Sequence, residues 1–205
     1  MNDDRGQARA LEAITAGMLL LASIVFALQV TAVTPLTGST SSQHIENQQA
    51  KIAEGILAAE AENGTVVRSL LAWNESGQFA DAKPGGFHGG GPPTVFGSVL
   101  NRTLRERNIA FNVKVFYLME DDGEVVRDSE QLVDLGSPSD HASTATRSFT
   151  VYDDDVLHTI DGGRAEPTDT TLENASMGAG SYLGYDVDDG PVYNVLEVEV
   201  VVWRM

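Results

Sequence analysis

The sequence predicts an α+β fold: a long N-terminal transmembrane and stalk helix, then shorter helices, then a head domain built on an antiparallel β-sheet. Three observations lead there. Residues 13–33 run for 21 positions without a charge. Between residues 40 and 107, apolar side chains recur at helical spacing. From residue 109 onward the apolar period changes to two.

The uncharged run comes first. At 1.5 Å per residue it makes a helix of about 30 Å, the thickness of a bilayer core. Thr15, Ser23, Gln29 and Thr31 dilute it, but hydroxyls in a helix bond back to the preceding turn. A cleaved signal peptide has a shorter apolar region of about 7–15 residues and a small-x-small site behind it. Neither feature is present here. Arg5 and Arg9 precede the run, and no Lys or Arg follows it until Lys51. The excess of basic residues on the cytoplasmic side of spans then predicts a single pass through the cell membrane, N-terminus inside and C-terminal domain outside. Glu12 stands at the cytoplasmic edge. It reads either as a solvated carboxylate at headgroup level or as a partner for an amine on a neighbouring subunit, since buried charges need partners.

Pro35 predicts the end of the first helix, and "TPLTGST" supplies turn formers. A second helix is expected from Thr40, with Gln43 three residues on in a capping-box arrangement. Ile45, Ile52, Ile56 and Leu57 form its apolar stripe, and "AENG" ends it at 61–64. The expected organisation is therefore a transmembrane helix over 7–34, a stalk helix over 35–64 and a head over 65–205. Within the head, "TVVRSLLAW" at 65–73 reads as a short helix. The glycine- and proline-rich "DAKPGGFHGGGPP" at 81–93 reads as a flexible surface loop; it lacks the GK[ST] ending of a phosphate cradle. "PTVFGSVLNRTLRERN" reads as a helix with Val95, Val99, Leu100 and Leu104 inward, and Arg102, Arg105, Glu106 and Arg107 outward.

The strands follow. "IAFNVKVFYLM" alternates, with Ile109, Phe111, Val113, Val115, Tyr117 and Met119 on one face, and "EDDGE" is a hairpin turn into "EVVRDSEQLVDLG". "STATRSFTVYDDD" and "VYNVLEVEVVVWRM" supply two more strands. In the last, Leu196, Val198, Val200 and Val202 share one face, opposite Glu197 and Glu199. The Gly-, Thr- and Asp-rich region from 157 to 185 reads as a long irregular loop.

Composition narrows the function. The chain carries 30 acidic against 13 basic residues, a formal charge of −17, and only three lysines. Such a surface cannot neutralise phosphates, so nucleic acid is excluded as a partner. Self-repulsion of this size calls for screening at close range, which needs about molar salt, and the composition is that of an extreme halophile. There is no cysteine, hence no disulfide or thiolate metal site. His44, His88, His141 and His158 are scattered without HExxH spacing. Residues 186–190 followed by Glu197 mimic a calcium loop, but Pro191 occupies the sixth position, where the turn needs Gly. The acidic clusters at 153–155 and 186–189 stay open between a weak cation site and plain solvated acid. No GxSxG or other catalytic motif occurs. An enzyme is not expected, and no catalytic, cofactor-binding or metal residue is assigned. Four N-x-S/T sequons stand at Asn63, Asn74, Asn101 and Asn174, where nine asparagines and 29 serines and threonines would give about one by chance. All four fall outside the expected membrane segment, as N-glycosylation of an exposed domain requires.

The stretch "RGQARALEAITAGMLLLASIVFALQ" resembles the start of archaeal type IV pilins and pilin-like proteins, and "FALQVTAVTPL", "STSSQHIENQ", "GGPPTVFG", "IAFNV" and "VVVWR" extend a similarity to haloarchaeal pilin-like proteins of unknown function over most of the chain. The resemblance implies a leader of residues 1–6, cut between Gly6 and Gln7 by a prepilin-type peptidase on the cytoplasmic side. It also implies other pilin-like subunits as partners of the N-terminal helix, with Glu12 as the assembly residue. Glu12 would be sixth in the mature chain, one position later than the family's usual glutamate. A minor pilus subunit or assembly component is the expected function, and a membrane-anchored envelope protein that binds others without polymerising is the alternative.

Overall fold

The computed structural model describes residues 3–74, 76–175, 182–184, 186–187 and 190–205, with side chains described except at 3–9 and 30–42. The protein is mixed α+β, with an N-terminal apolar helix and an antiparallel sheet. It divides into two compact units, Met1–Ile45 and Glu46–Met205.

Helix α1 spans Asp3–Glu62. The break expected at Pro35 and the fresh start expected at Thr40 do not occur, so 35–64 is not a helix of its own. Proline removes one backbone donor and crowds the carbonyl four residues back. That costs about 3 kcal/mol locally, and the helix runs through it. The apolar stripe is the expected one apart from its first member: Ile56 and Leu57 are buried and Ile52 packs partly buried against the core, whereas Ile45 is exposed. Ala53 and the polar Gln49 and Glu60 are buried with them, on positions that follow the same 3.6 period. Beyond α1, α2 (Thr65–Leu70) and α3 (Val95–Thr103) follow. Thr94 caps α3 by accepting from the Gly97 N–H at 3.2 Å. That cap sets the helix frame so that Phe96 and Leu100 are fully buried and Val95 is 46% exposed. The expected inward role of Val95 belongs instead to its neighbour, Phe96.

The glycine-rich stretch before α3 is pinned, contrary to its reading as a flexible loop. Phe87 pairs with the edge of the sheet: its N–H donates to the Leu132 carbonyl, and its own carbonyl accepts from the Asp134 N–H, both at 2.9 Å. A Cβ on Gly91 would stand 2.6 Å from the Gly97 Cα, and one on Gly97 would overlap the Pro92 carbonyl. The glycines are needed because backbone packs on backbone here.

Strands β1 (Ile109–Asp121), β2 (Glu124–Val133), β3 (Ser143–Tyr152) and β6 (Val192–Arg204) form one antiparallel sheet in the order β2-β1-β6-β3. The turn between β1 and β2 has the form the sequence predicts: Asp122 and Gly123 both take positive φ, as a two-residue hairpin of the mirror type requires. On the core face, Val200 lies opposite Val113 on one side and Ala145 on the other, and Val198 lies opposite Val115. Leu196, Val198, Val200 and Val202 are fully buried, as their alternation predicts. They join Phe111, Phe149, Phe96, Leu100 and Leu57 in one core. At the bulge between Val113 and Lys114 the ladder opens, and the Gln131 amide donates to the Val113 carbonyl at 3.2 Å. Past the last β1–β6 pair, the buried Asn194 amide makes both bonds a strand would make to Leu118: Nδ2 donates to its carbonyl at 2.8 Å and Oδ1 accepts from its N–H at 3.2 Å.

The region read as a long irregular loop is ordered in most of its length. It holds β4 (Val156–Asp161) and β5 (Arg164–Thr171), joined through Gly162 and Gly163 at positive φ, and the single turn α4 (Leu172–Ala175). His158 fastens this hairpin: its N–H donates to the Leu71 carbonyl at 2.7 Å and its carbonyl accepts from the Trp73 N–H at 3.2 Å.

Two glycine substitutions should move stability in opposite directions. Gly55 is exposed in α1, and a Cβ there would meet nothing within 4 Å, so Gly55→Ala should stabilise by about 0.5–1 kcal/mol. Gly97→Ala must displace backbone and should cost about 1–3 kcal/mol. Denaturation of the detergent-solubilised chain reads both.

Candidate functional site

The most distinctive surface is the apolar stretch of α1, Ala10–Gln29. All of its residues are exposed, including Leu11, Ile14, Phe26 and Leu28. Met18, Leu19, Leu20 and Leu21 are consecutive. At about 100° per residue they place one large apolar group on every quadrant, so the helix has no polar side to turn to water. Its hydroxyls are consumed internally. Thr15 Oγ1 donates to the Leu11 carbonyl at 2.9 Å, and Ser23 Oγ to the Leu20 carbonyl at 2.8 Å. Internal satisfaction of polar groups is what an apolar solvent demands. The stretch is long and apolar enough to cross a membrane, a property that a single span and a signal sequence share. Glu12, exposed, is its one charged residue. The expected cut between Gly6 and Gln7 falls outside the residues whose side chains are described.

The sequon asparagines divide into two pairs. Asn63 and Asn174 are exposed, the latter donating from Nδ2 to Thr171 Oγ1 at 2.9 Å. Asn74 and Asn101 have work inside the fold. Asn74 Oδ1 accepts from the N–H groups of Ser76 and Gln78, tying a turn, and Asn101 Oδ1 accepts from Gly91 N–H at 2.9 Å, holding the glycine-rich loop on α3. The histidines stay apart: His141 Nδ1 meets Glu46 Oε1 at 2.8 Å, His88 meets backbone carbonyls, and His158 is buried. Among the described residues no group of three or more His, Asp or Glu could hold a metal. The cluster at 186–189 lies partly outside them.

Two features escaped the sequence. The first is an aromatic cluster in which Trp73 meets Phe79 and Tyr182 edge-on, at 5.1 and 5.4 Å, and Tyr182 lies 6.0 Å from Tyr193. Burial, then the charges of Asp186 and Asp153, push the Tyr193 phenol up to about 12. The second is a cavity of about 210 Å³ where α2, the start of α3 and β5 meet. Its residues lie up to a hundred positions apart, so no local motif could announce it.

A family model of unknown function matches residues 5–202, taking in the apolar stretch of α1 and nearly all of β6 in one span. The chain belongs to DUF7288. No curated protein and no solved structure matches it. Membership thus couples the apolar helix and the sheet in one family unit and leaves the chemistry to be argued from the residues.

High pH should unfold the second unit. Tyr117, desolvated and facing Asp128, also has its phenol pushed up to about 12, against an ordinary 10.0. Between about pH 10 and 12 the unfolded chain gives up protons that folded Tyr117 and Tyr193 keep, so stability is complete below 10 and falls through that window. Circular dichroism should lose the fold there, and Tyr117→Phe with Tyr193→Phe should make the decline shallower.

Proposed function

We propose that the chain is a single-span, surface-exposed protein of the archaeal type IV pilin-like kind, a minor pilus subunit or assembly component. The observation that carries this is a twenty-residue stretch of α1, Ala10–Gln29, apolar on every side and exposed along its whole length. Such a helix belongs in lipid or among other apolar helices. Arg5 and Arg9 before it, with no further basic residue until Lys51, support a cytoplasmic N-terminus and an external C-terminal domain. "RGQARALE" supports removal of a six-residue leader by a prepilin-type peptidase, and exposed Asn63 and Asn174 suit glycosylation outside the cell. In a filament, Glu12 would pair with the new amine at Gln7 of a neighbour, a pairing that an apolar environment makes strong. Glu12 stands one position later than the usual pilin glutamate, and this favours a second reading: an anchored envelope protein that binds partners without polymerising.

Mass spectrometry of the mature N-terminus separates processing from its alternatives. Gln7 as first residue, with Gly6→Leu blocking the cut, is the expected result; an intact Met1 or a cut near residue 34 would sink the pilin reading. Assembly is then read from sheared extracellular filaments. Under the first reading Glu12→Gln removes the protein from filaments and leaves it in the membrane fraction. Under the second, wild type and variant are both absent from filaments.

A further inference from the structure

The cavity between α2, α3 and β5 has an unusual balance for so acidic a chain. Arg68 and Arg164 both line it, and among the described residues neither has a carboxylate within 4.0 Å. Arg68 is held by a bond from Nη2 to the Asn63 carbonyl at 2.9 Å. Glu166 shares the cavity with Arg164, two positions away on one face of β5, without pairing with it. Ion pairs are few among the described residues, so it is the convergence of two guanidinium groups on one opening, rather than their being unpaired, that offers donors to an anion.

The floor specifies the rest. Ser69 and Thr94 are buried, with their hydroxyl oxygens 2.7 Å apart. Ser69 Oγ gives its proton to the Thr65 carbonyl at 2.8 Å, so the proton between the two hydroxyls is Thr94's. Thr65 Oγ1 donates to Glu60 Oε2 at 2.5 Å. Every hydroxyl proton is consumed within the protein; Thr94 Oγ1 also accepts from the Gly97 N–H and Ser69 Oγ from Thr94, so what the floor offers a ligand is the one remaining lone pair on each oxygen. Arginines that donate stand against hydroxyl oxygens and the Glu166 carboxylate that accept. An occupant must therefore carry an anion at one end and hydroxyl donors at the other. At about 210 Å³ the cavity is smaller than the about 300–1,000 Å³ of sites for drug-sized ligands, so the occupant is one small unit.

We propose that this cavity binds a hydroxylated carboxylate the size of one sugar acid, either free or as the terminal unit of an acidic glycan. Arg68 and Arg164 hold the carboxylate, while Glu166 and the Ser69–Thr94 floor accept from the ring hydroxyls. The test is calorimetric titration of the full chain in detergent, at the lowest salt that keeps it folded, because two exposed arginines act through a screened field. The probes are D-glucuronate, D-glucose, acetate and a glucuronate-terminated oligosaccharide. Glucuronate should bind, with glucose and acetate weaker by about tenfold or more, the worth of one charged hydrogen bond. The Arg164 guanidinium has no acidic partner among the described residues, so Arg164→Gln should leave the fold intact and weaken glucuronate by a similar factor, whereas Arg127→Gln on the sheet should not. Tighter binding of the oligosaccharide identifies a glycan end, and equal or weaker binding identifies the free acid. No heat from glucuronate, equal affinity for acetate or glucose, or indifference to Arg164→Gln would overturn the proposal.

Discussion

The second unit depends on β6. This strand is the last in the chain, yet it lies between β1 and β3, so neither half of the sheet meets the other except through it. A strand paired on both edges has no spare backbone groups, and the alternate residues Leu196, Val198, Val200 and Val202 can then be wholly apolar and wholly buried. The helices close over that row, because Leu57, Val66, Phe96 and Leu100 belong to the same cluster. The pairing is also as non-local as this topology allows, joining residue 111 to 202 and 145 to 200. The loop-closure entropy of bringing the C-terminus home is offset only when the whole ladder forms. Cooperative loss of the sheet is the consequence, and the alkaline unfolding of Tyr117 and Tyr193 should be felt as one event because both sit on strands of that sheet.

The N-terminal stretch obeys a different solvent. Ten large apolar side chains between Leu11 and Leu28 stand more than half exposed. Removing them from water is worth on the order of 15–30 kcal/mol, as much as or more than the about 5–15 kcal/mol that holds a typical domain together. The sequence thus makes two different demands: an acidic second unit, and a helix with no polar side to turn to water. A membrane or a bundle of like helices meets the second demand, and this is why the functional reading rests on α1.

What could be read from residues alone was what local periodicity controls. The alternation of β1 and β6, the Asp122-Gly123 turn and the uncharged length of residues 13–33 each depend on neighbours a few positions away. The misreadings share the opposite cause. Pro35 obeys a local rule that a long helix overrides. Val95 and Phe96 exchange roles because one capping bond at Thr94 rotates the frame. The Gly162-Gly163 turn carried a hairpin signal, but β4 and β5 bury little, so their residues lack apolar alternation. They are ordered by backbone bonds from His158 to Leu71 and Trp73 that no side-chain pattern encodes. Of the functional features, the apolar helix with Glu12 was legible and the arginine-lined cavity was not, since Arg68 and Arg164 meet only through the fold.

The open face of the sheet is covered rather than left bare. Phe116, Leu118 and Val195 line that face and would make a sticky patch if bare. Arg127 lies across it, its guanidinium 3.9 Å from the Phe116 ring centre and ion-paired with Glu197. A half-exposed ion pair of this kind contributes at most about 1 kcal/mol, and stacking on the ring adds about as much. Its larger effect is steric: a long basic side chain covers apolar surface and keeps its charge in water. Here a scarce arginine is spent on protecting the sheet, with both its charge and its stem engaged. Arg68 and Arg164 cover no aromatic ring and stand in no ion pair among the described residues, and what sets them apart from the other arginines outside ion pairs is that both line one cavity.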